Sequence, residues 1–330
     1  MHRLQHYWYC RAPIHLILLP LSGLFGLLAA LRRQFYRLGW LSSAALPVPV
    51  AIIGNITVGG SGKTPFTLWL AECLLEAGWH PVILSRGYGG SQQAARAVQP
   101  DDSPTEVGDE PVLMAQRRLC PVWVGRDRLA AGQALLNAHP ECDIVLCDDG
   151  LQHYRLQRNL EIVVIDNRRG FGNGWLLPAG PLREPLSRLA KADAIVLHGG
   201  TPQAGQYAME LHGETFYNLL NPQQTATAAD FRGQRLHALA GIGHPQRFFD
   251  HLHRLGLEPL LHPFPDHHAY CAEDLAFPDA DAILMTEKDA VKCAAIATEQ
   301  CWVLRVDARL DPALFEHLLE RLSPHGRQTA

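Results

Sequence analysis

The stretch Val48–Pro65, reading VPVAIIGNITVGGSGKTP, constrains the fold more than any other part of the chain. It opens with a β-branched apolar run, which reads as a buried strand. A glycine-rich turn follows, then Gly62-Lys63-Thr64 and the start of a helix. Strand, turn and helix in that register form a phosphate-cradling loop. Glycines at 59, 60 and 62 let backbone N–H groups close on phosphate oxygens. Those groups sit at a helix N-terminus, where the dipole favours anions. Thr57, Val58, Gly59, Gly60, Ser61, Gly62, Lys63 and Thr64 are therefore expected to bind ATP. Lys63 would reach the β- and γ-phosphates, and the Thr64 hydroxyl would hold Mg2+. The general pattern wants glycine where Thr57 stands, but the tighter core Gly-Gly-x-Gly-Lys-Thr is intact. A merely structural glycine-rich turn is the weaker reading, because every neighbouring feature arrives in register.

A second signal is Asp143–Gly150, a hydrophobic strand that ends in Asp148-Asp149. Such a strand holds Mg2+ opposite the hydroxyl of a phosphate loop. Asp148 is nearest the strand end and is preferred to Asp149 for the metal. Other apolar strands lie at Pro81–Leu84, Pro121–Val124, Leu160–Asp166 and Lys191–Leu197, with helical patterns between several of them. That alternation predicts an α/β fold with a mostly parallel sheet. Strand-end loops of such sheets carry ligand contacts. Ser85-Arg86-Gly87-Tyr88 is such a loop, and plain loop surface is the competing reading for Arg86 and Tyr88. At Gly108-Asp109-Glu110-Pro111 a helix opens; the two acids read as capping charges, or one of them as a base or metal ligand. Arg183 beside Glu184 reads as a local ion pair or a phosphate contact.

The pattern breaks into polar and turn residues from Thr201 to Gly233, then strand-and-helix patterning resumes. The expected organisation is an N-terminal apolar region (1–45), a P-loop α/β domain (46–205), a linker (206–233) and a second, smaller α/β domain (234–330). In the second domain, Asp266-His267-His268 offers an acid and two imidazoles suited to proton transfer near neutral pH. Thr286-Glu287-Lys288-Asp289 is a strand running into charges. The tail 323–330 reads as loose.

The N-terminus is unusual. No Asp or Glu precedes Glu72, while Arg3, Arg11, Arg32, Arg33 and Arg37 make this end positive. Between Arg11 and Arg32 the chain is uncharged and apolar, about 30 Å long as a helix. Tyr7, Trp8 and Tyr9 before it, and Phe35, Tyr36 and Trp40 after it, resemble interfacial belts. A membrane-associated helix, spanning or lying in the interface, is expected; a signal peptide and a buried core helix are the alternatives.

Composition removes other classes. A chain of 330 residues, 47% hydrophobic, can bury the core of two domains. A net charge of -4 gives no basic field for nucleic acid. The 8 cysteines form no C-x-x-C pair and read as reduced thiols, and none of the 17 histidines joins a set with zinc spacing.

Taken in order, these motifs resemble the tetraacyldisaccharide 4'-kinase family of lipid A biosynthesis. The resemblance rests on Val58–Pro65, Ser85–Gly89, Gly108–Pro111, Asp148–His153, Leu177–Glu184, Asp266–Tyr270 and Thr286–Asp289, and Thr57 also matches it. It implies an ATP- and Mg2+-dependent kinase that phosphorylates the 4'-hydroxyl of a tetraacylated glucosamine disaccharide 1-phosphate, giving lipid IVA, at the cytoplasmic face of the bacterial inner membrane. It further implies Asp109 as catalytic base paired with His267, Glu110 and Asp148 near Mg2+, and Tyr88, Arg126 and Arg183 near substrate or phosphates. A soluble P-loop small-molecule kinase and a nucleotide-dependent assembly factor are the alternative functions.

Overall fold

The structure is a computed structural model and describes residues 7–9 and 14–322. Arg3, Arg11 and the tail 323–330 lie outside the described residues.

A long helix α1 (Ile14–Arg37) leads into strand β1 (Val50–Gly54), the phosphate loop and α2 (Lys63–Glu76). The chain continues through β2 (Pro81–Ser85), β3 (Arg96–Ala97), α3 (Pro104–Val107), α4 (Asp109–Gln116), β4 (Val122–Val124), α5 (Arg128–Ala138), β5 (Ile144–Asp148), β6 (Leu160–Asp166), β7 (Ala194–His198) and β8 (Gln206–His212). These strands, with the late strand β15 (Asp307–Leu310), form a nine-stranded sheet in the order β15-β8-β7-β6-β1-β5-β2-β4-β3. All pairs are parallel except the two edges, β15 on β8 and β3 on β4. β1 sits at the centre and is buried along its whole length. Its alternation explains why: Ala51 and Ile53 enter one core, with Phe66 and Leu70 of α2, while Val50 and Ile52 enter another, with Leu129 and Leu135 of α5.

The second sheet contains β9 (Thr215–Asn218), β10 (Thr225–Thr227), β11 (Leu236–Ala240), β12 (Leu260–Pro263), β13 (Ala282–Thr286) and β14 (Cys301–Leu304), ordered β10-β9-β14-β13-β11-β12. Helices α6 (Pro245–Arg254) and α7 (Glu287–Cys293) accompany it, and α8 (Pro312–Leu322) ends the described chain. The α/β class with two sheets matches the expectation.

The domain limits differ from those expected. Residues 206–212 are an inner strand of the large sheet, not linker, because Tyr207, Met209 and Leu211 place alternate side chains on the first core. Residues 307–322 also return to the large sheet: Ala308 and Leu310 of β15, and Leu314 and Leu318 of α8, pack on that core. Two chain passages therefore join the sheets, one before β9 and one after β14.

One helix, His15–Arg37, is long and apolar enough to cross a membrane, and its most apolar window is only 6% buried. That removes the core-helix alternative. Leu16 and Ile17 are 72% and 76% exposed, and Leu21, Leu24, Leu27 and Leu28 are also exposed. The opposite face docks: the Ser22 hydroxyl donates to Leu176 O and accepts from Ala179 N, both at 2.9 Å. Trp8 belongs to this docking rather than to an interfacial belt, since it is buried and its indole N–H donates to Pro178 O at 3.0 Å. Trp40, 72% exposed, keeps the position expected of a belt residue.

Candidate active site

The carboxyl ends of the two parallel sheets face each other, and the candidate residues lie between them. In the large sheet the chain turns from β1 into α2 through Thr57–Gly62. Gly62 sits at φ 92°, and a Cβ there would lie 2.8 Å from His198 Nδ1, so the turn admits no side chain. Val58 N donates to Pro181 O at 2.9 Å, tying the loop to the segment that carries Arg183. Across the gap, Gly243 after β11 lies close enough that its Cβ would stand 3.4 Å from Gly60 N.

Lys63 opens α2, and its Nζ lies 3.5 Å from Asp149 Oδ1. Arg183 Nη1 donates to both oxygens of Asp149, at 3.2 and 3.3 Å. Burial raises the Asp149 carboxyl, but Lys63 and Arg183 override it and hold the group well below the usual carboxylate range. Asp149 thus organises the two cations. Asp148, one residue earlier, ends β5 with no exposed surface. Thr67 Oγ1 approaches its Oδ1 at 3.5 Å, while Oδ2 is buried without a hydrogen-bond partner. Burial pushes this carboxyl up to about 7; Glu110 and Asp149 add to that, and Lys63 opposes it.

Asp109 and Glu110 begin α4. Gly108 before them has φ 95°, and a Cβ there would meet Tyr88 O at 2.7 Å. The Tyr88 loop and the helix start are therefore in backbone contact. Asp109 Oδ1 accepts from Glu110 N at 3.0 Å, which is its helix-start role. Its Oδ2 accepts from His267 Nδ1 at 3.1 Å, across 158 residues of sequence. Burial raises Asp109, but the His267 hydrogen bond and the charge of Lys288 prevail and hold it at about 2. The same hydrogen bond raises His267 above its ordinary value. His267 has φ 60°, and the Tyr88 ring lies 5.5 Å from its imidazole, centroid to centroid.

The fold thus brings together Lys63, Thr64, Asp148, Asp149 and Arg183 on one side, and Asp109, Glu110, Tyr88 and His267 on the other. Arg126, in the loop after β4, is exposed, whereas its neighbour Arg128 is 2% exposed and donates to Asp148 O at 3.4 Å.

Lys288 carries a role that sequence reasoning missed. It follows β13, and its Nζ lies 3.3 Å from Glu110 Oε1, 3.6 Å from Asp109 Oδ2 and 3.6 Å from Asp266 Oδ1. Burial disfavours its charge, but Glu110, Asp109 and Asp266 more than restore it, so the ammonium form is strongly held. The available signal was a strand ending in Thr-Glu-Lys-Asp, the same strand-end logic that singled out Asp148. Arg169 was also missed. It packs against Gly59 of the phosphate loop, and its guanidinium donates to Gly243 O across the gap.

Comparison with known proteins places the chain in a family. The family described as Tetraacyldisaccharide-1-P 4'-kinase matches residues 14–323. A tetraacyldisaccharide 4'-kinase of Methylobacillus flagellatus is 53% identical over 320 residues, covering 97% of this chain and 96% of the relative. One from Azoarcus sp. strain BH72 is 52% identical over 330 residues, covering 98% and 96%. A crystal structure of LpxK from Aquifex aeolicus in complex with ATP superposes with a TM-score of 0.78 at 30% identity, covering 94% of this chain and 99% of that one. A family match over nearly the whole length, together with relatives above half identity, establishes that this chain belongs to the tetraacyldisaccharide-1-P 4'-kinase family.

Proposed function

We propose that the protein transfers the γ-phosphate of ATP to the 4'-hydroxyl of a tetraacylated glucosamine disaccharide 1-phosphate, giving lipid IVA for lipid A synthesis. The observation that carries the reading is the 3.1 Å contact between Asp109 and His267, made from opposite sheets beside the phosphate loop. A sugar hydroxyl is a poor nucleophile, so its proton must leave as the oxygen attacks phosphorus. Asp109 accepts that proton, while His267 orients the carboxylate from the second sheet. The new P–O bond forms at the 4'-oxygen, the bond to the β-γ bridging oxygen breaks, and ADP leaves. Lys63 neutralises charge on the transferring group, and Arg183, fixed by Asp149, faces the phosphates or the acceptor. Tyr88 and Arg126 are assigned to the acceptor side.

The residues fit Mg2+. Asp148 offers a buried oxygen with no partner, and Glu110 and the Thr64 hydroxyl are further hard donors. Among the described residues no group of three or more His, Cys, Asp or Glu could hold a metal alone. That suits an ion which takes one or two carboxylates and completes its shell with nucleotide phosphates and water. When bound it would neutralise charge on the phosphates.

The lipid acceptor gives α1 its purpose. An exposed aliphatic face and an acid-free, arginine-bearing first segment support attachment at the cytoplasmic face of the inner membrane. The test is phosphate transfer from labelled ATP to the purified disaccharide lipid in the presence of Mg2+. Label in the lipid is expected. ATP hydrolysis without lipid labelling would point to an assembly factor, and labelling of small soluble sugars alone to a metabolite kinase.

A further inference from the structure

Glu184 follows Arg183 directly, yet the proposed chemistry does not use it. Its side chain is only 3% exposed. Four groups converge on it: Arg33 Nη1 at 3.2 Å, Gln152 Nε2 at 2.9 Å, the Tyr154 hydroxyl at 2.7 Å and Arg188 Nε at 3.4 Å. Three of these come from the body of the large-sheet domain, and Arg33 comes from α1. Arg32 and Arg37, the other arginines of α1, reach no carboxylate among the described residues. A helix that served only as an anchor would need no ionic contact with a buried carboxylate.

From Glu184 the contacts continue to the phosphate loop. Gln152 donates to Glu184 with its amide nitrogen and accepts from Arg183 Nη1 at 3.4 Å with its amide oxygen. The same Arg183 nitrogen holds Asp149, and Asp149 holds Lys63 at 3.5 Å. An unbroken series of polar contacts therefore runs from α1 to the P-loop lysine.

We infer that Arg33, Glu184 and Gln152 are positioning residues, a brace through which the seating of α1 fixes the geometry of Arg183 and Asp149. The inference rests on the proposed lipid-kinase function. Its physical content is that the charges of Arg33 and Glu184 together fix the carboxylate on which Gln152 is seated; with either charge lost, Gln152 keeps only its 3.2 Å bond to Asn55 O on that nitrogen, and its amide and the Arg183 nitrogen it accepts from shift. A displacement of about 1 Å at a group facing the transferring phosphoryl can cost on the order of 10²-fold in rate. Spatial continuity alone does not establish coupling, and a double-mutant cycle does.

The experiment uses the full-length protein on vesicles containing anionic phospholipid and the acylated disaccharide acceptor. Wild type, Arg33→Met, Arg33→Lys, Glu184→Gln and Arg33→Met/Glu184→Gln are compared for kcat, for KM of ATP and for sedimentation with the vesicles. Arg33→Met is expected to lower kcat about 10-fold and Glu184→Gln by about 10- to 100-fold, with KM for ATP and sedimentation unchanged. Arg33→Lys should recover most of the rate, and the double variant should be no slower than Glu184→Gln alone. Fully additive losses, or a loss in Arg33→Met that tracks release from the vesicles, would overturn the brace and leave Arg33 a headgroup contact. Should Glu184→Gln fail to fold, the Arg33 pair decides: a rate deficit restored by lysine supports the brace, and wild-type turnover in Arg33→Met overturns it. A wild type unable to phosphorylate the acceptor overturns both readings, whereas an active wild type beside an equally active Arg33→Met overturns this one alone.

Discussion

Asp109→Asn separates the two roles that the Asp109 carboxylate carries. Oδ1 supports the start of α4, and Oδ2 meets His267. The amide keeps an oxygen for Glu110 N but has no charge and cannot accept the substrate proton. A carboxyl held at about 2, where 3.8 is ordinary, is worth about 2 kcal/mol of stability at neutral pH. That is the expected destabilisation, counted once, on Asp109; His267 has a side chain 40% exposed, and solvent screens its share. The sign follows from the depression. Stability from Asp109 is fully present above its ordinary range and is lost as pH falls through about 2. The stability gap between wild type and Asp109→Asn should therefore be constant from pH 8 to about 5, narrow below about 4 and vanish near 2. Loss of the base should also cost roughly 10²–10⁴ in kcat. Urea unfolding across that pH range, with turnover on the lipid acceptor at pH 7.5, measures both. A gap near 2 kcal/mol with kcat within threefold of wild type would refute the assignment of Asp109 as base and leave it a structural acid.

His267→Ala should lower kcat strongly, and Asp109→Asn/His267→Ala should be little slower than Asp109→Asn alone, because the two act as a unit; fully additive losses would separate them. Lys63→Ala should abolish transfer and, because Lys63 offsets the burial of Asp149, also lower thermal stability; near-normal turnover would remove the loop from the mechanism. Asp148→Asn should lose Mg2+-dependent transfer. Burial raises the Asp148 carboxyl well above the usual carboxylate range, so in chelator its contribution to stability is lost as pH rises from the ordinary carboxylate range toward neutrality, and the variant should lack that loss. Lys288→Met should leave Asp109, Glu110 and Asp266 facing one another without their shared cation, costing about 3 kcal/mol; unchanged urea stability would show that the cluster does not depend on Lys288.

Much of the phosphate-binding half of the site was legible because its geometry is local. Strand, glycine turn and Lys63 are consecutive, and Asp148 is marked by the end of its own strand, so period and spacing suffice. The second half was not legible because its distances are tertiary. Nothing in the residues between 109 and 267 states that Asp109 and His267 meet across two sheets; the pairing entered only through the family resemblance. The domain limits failed for a similar reason. β8 and β15 are polar on one face and far apart in sequence, and β15 is only four residues long, so each looks like connection until the other pairs with it.

The charge distribution across the two sheets has a consequence for how a lipid kinase avoids idle hydrolysis. The large-sheet side holds the phosphate loop and Asp109, while His267 and Lys288, the two groups that face the Asp109 carboxylate, come from the second sheet. Neither sheet alone has both halves. Separation of the sheets would leave Asp109 without the His267 and Lys288 contacts that orient its carboxylate. In the proposed mechanism the base is therefore positioned only when the second sheet is seated, and α1, docked beside Arg183 through Ser22 and Arg33, belongs to the same assembly. An acceptor that reaches the gap from the bilayer meets a site whose orienting groups come from α1 and both sheets. Competence then depends on the three being seated together, so a water molecule near the phosphate loop does not by itself meet a positioned base.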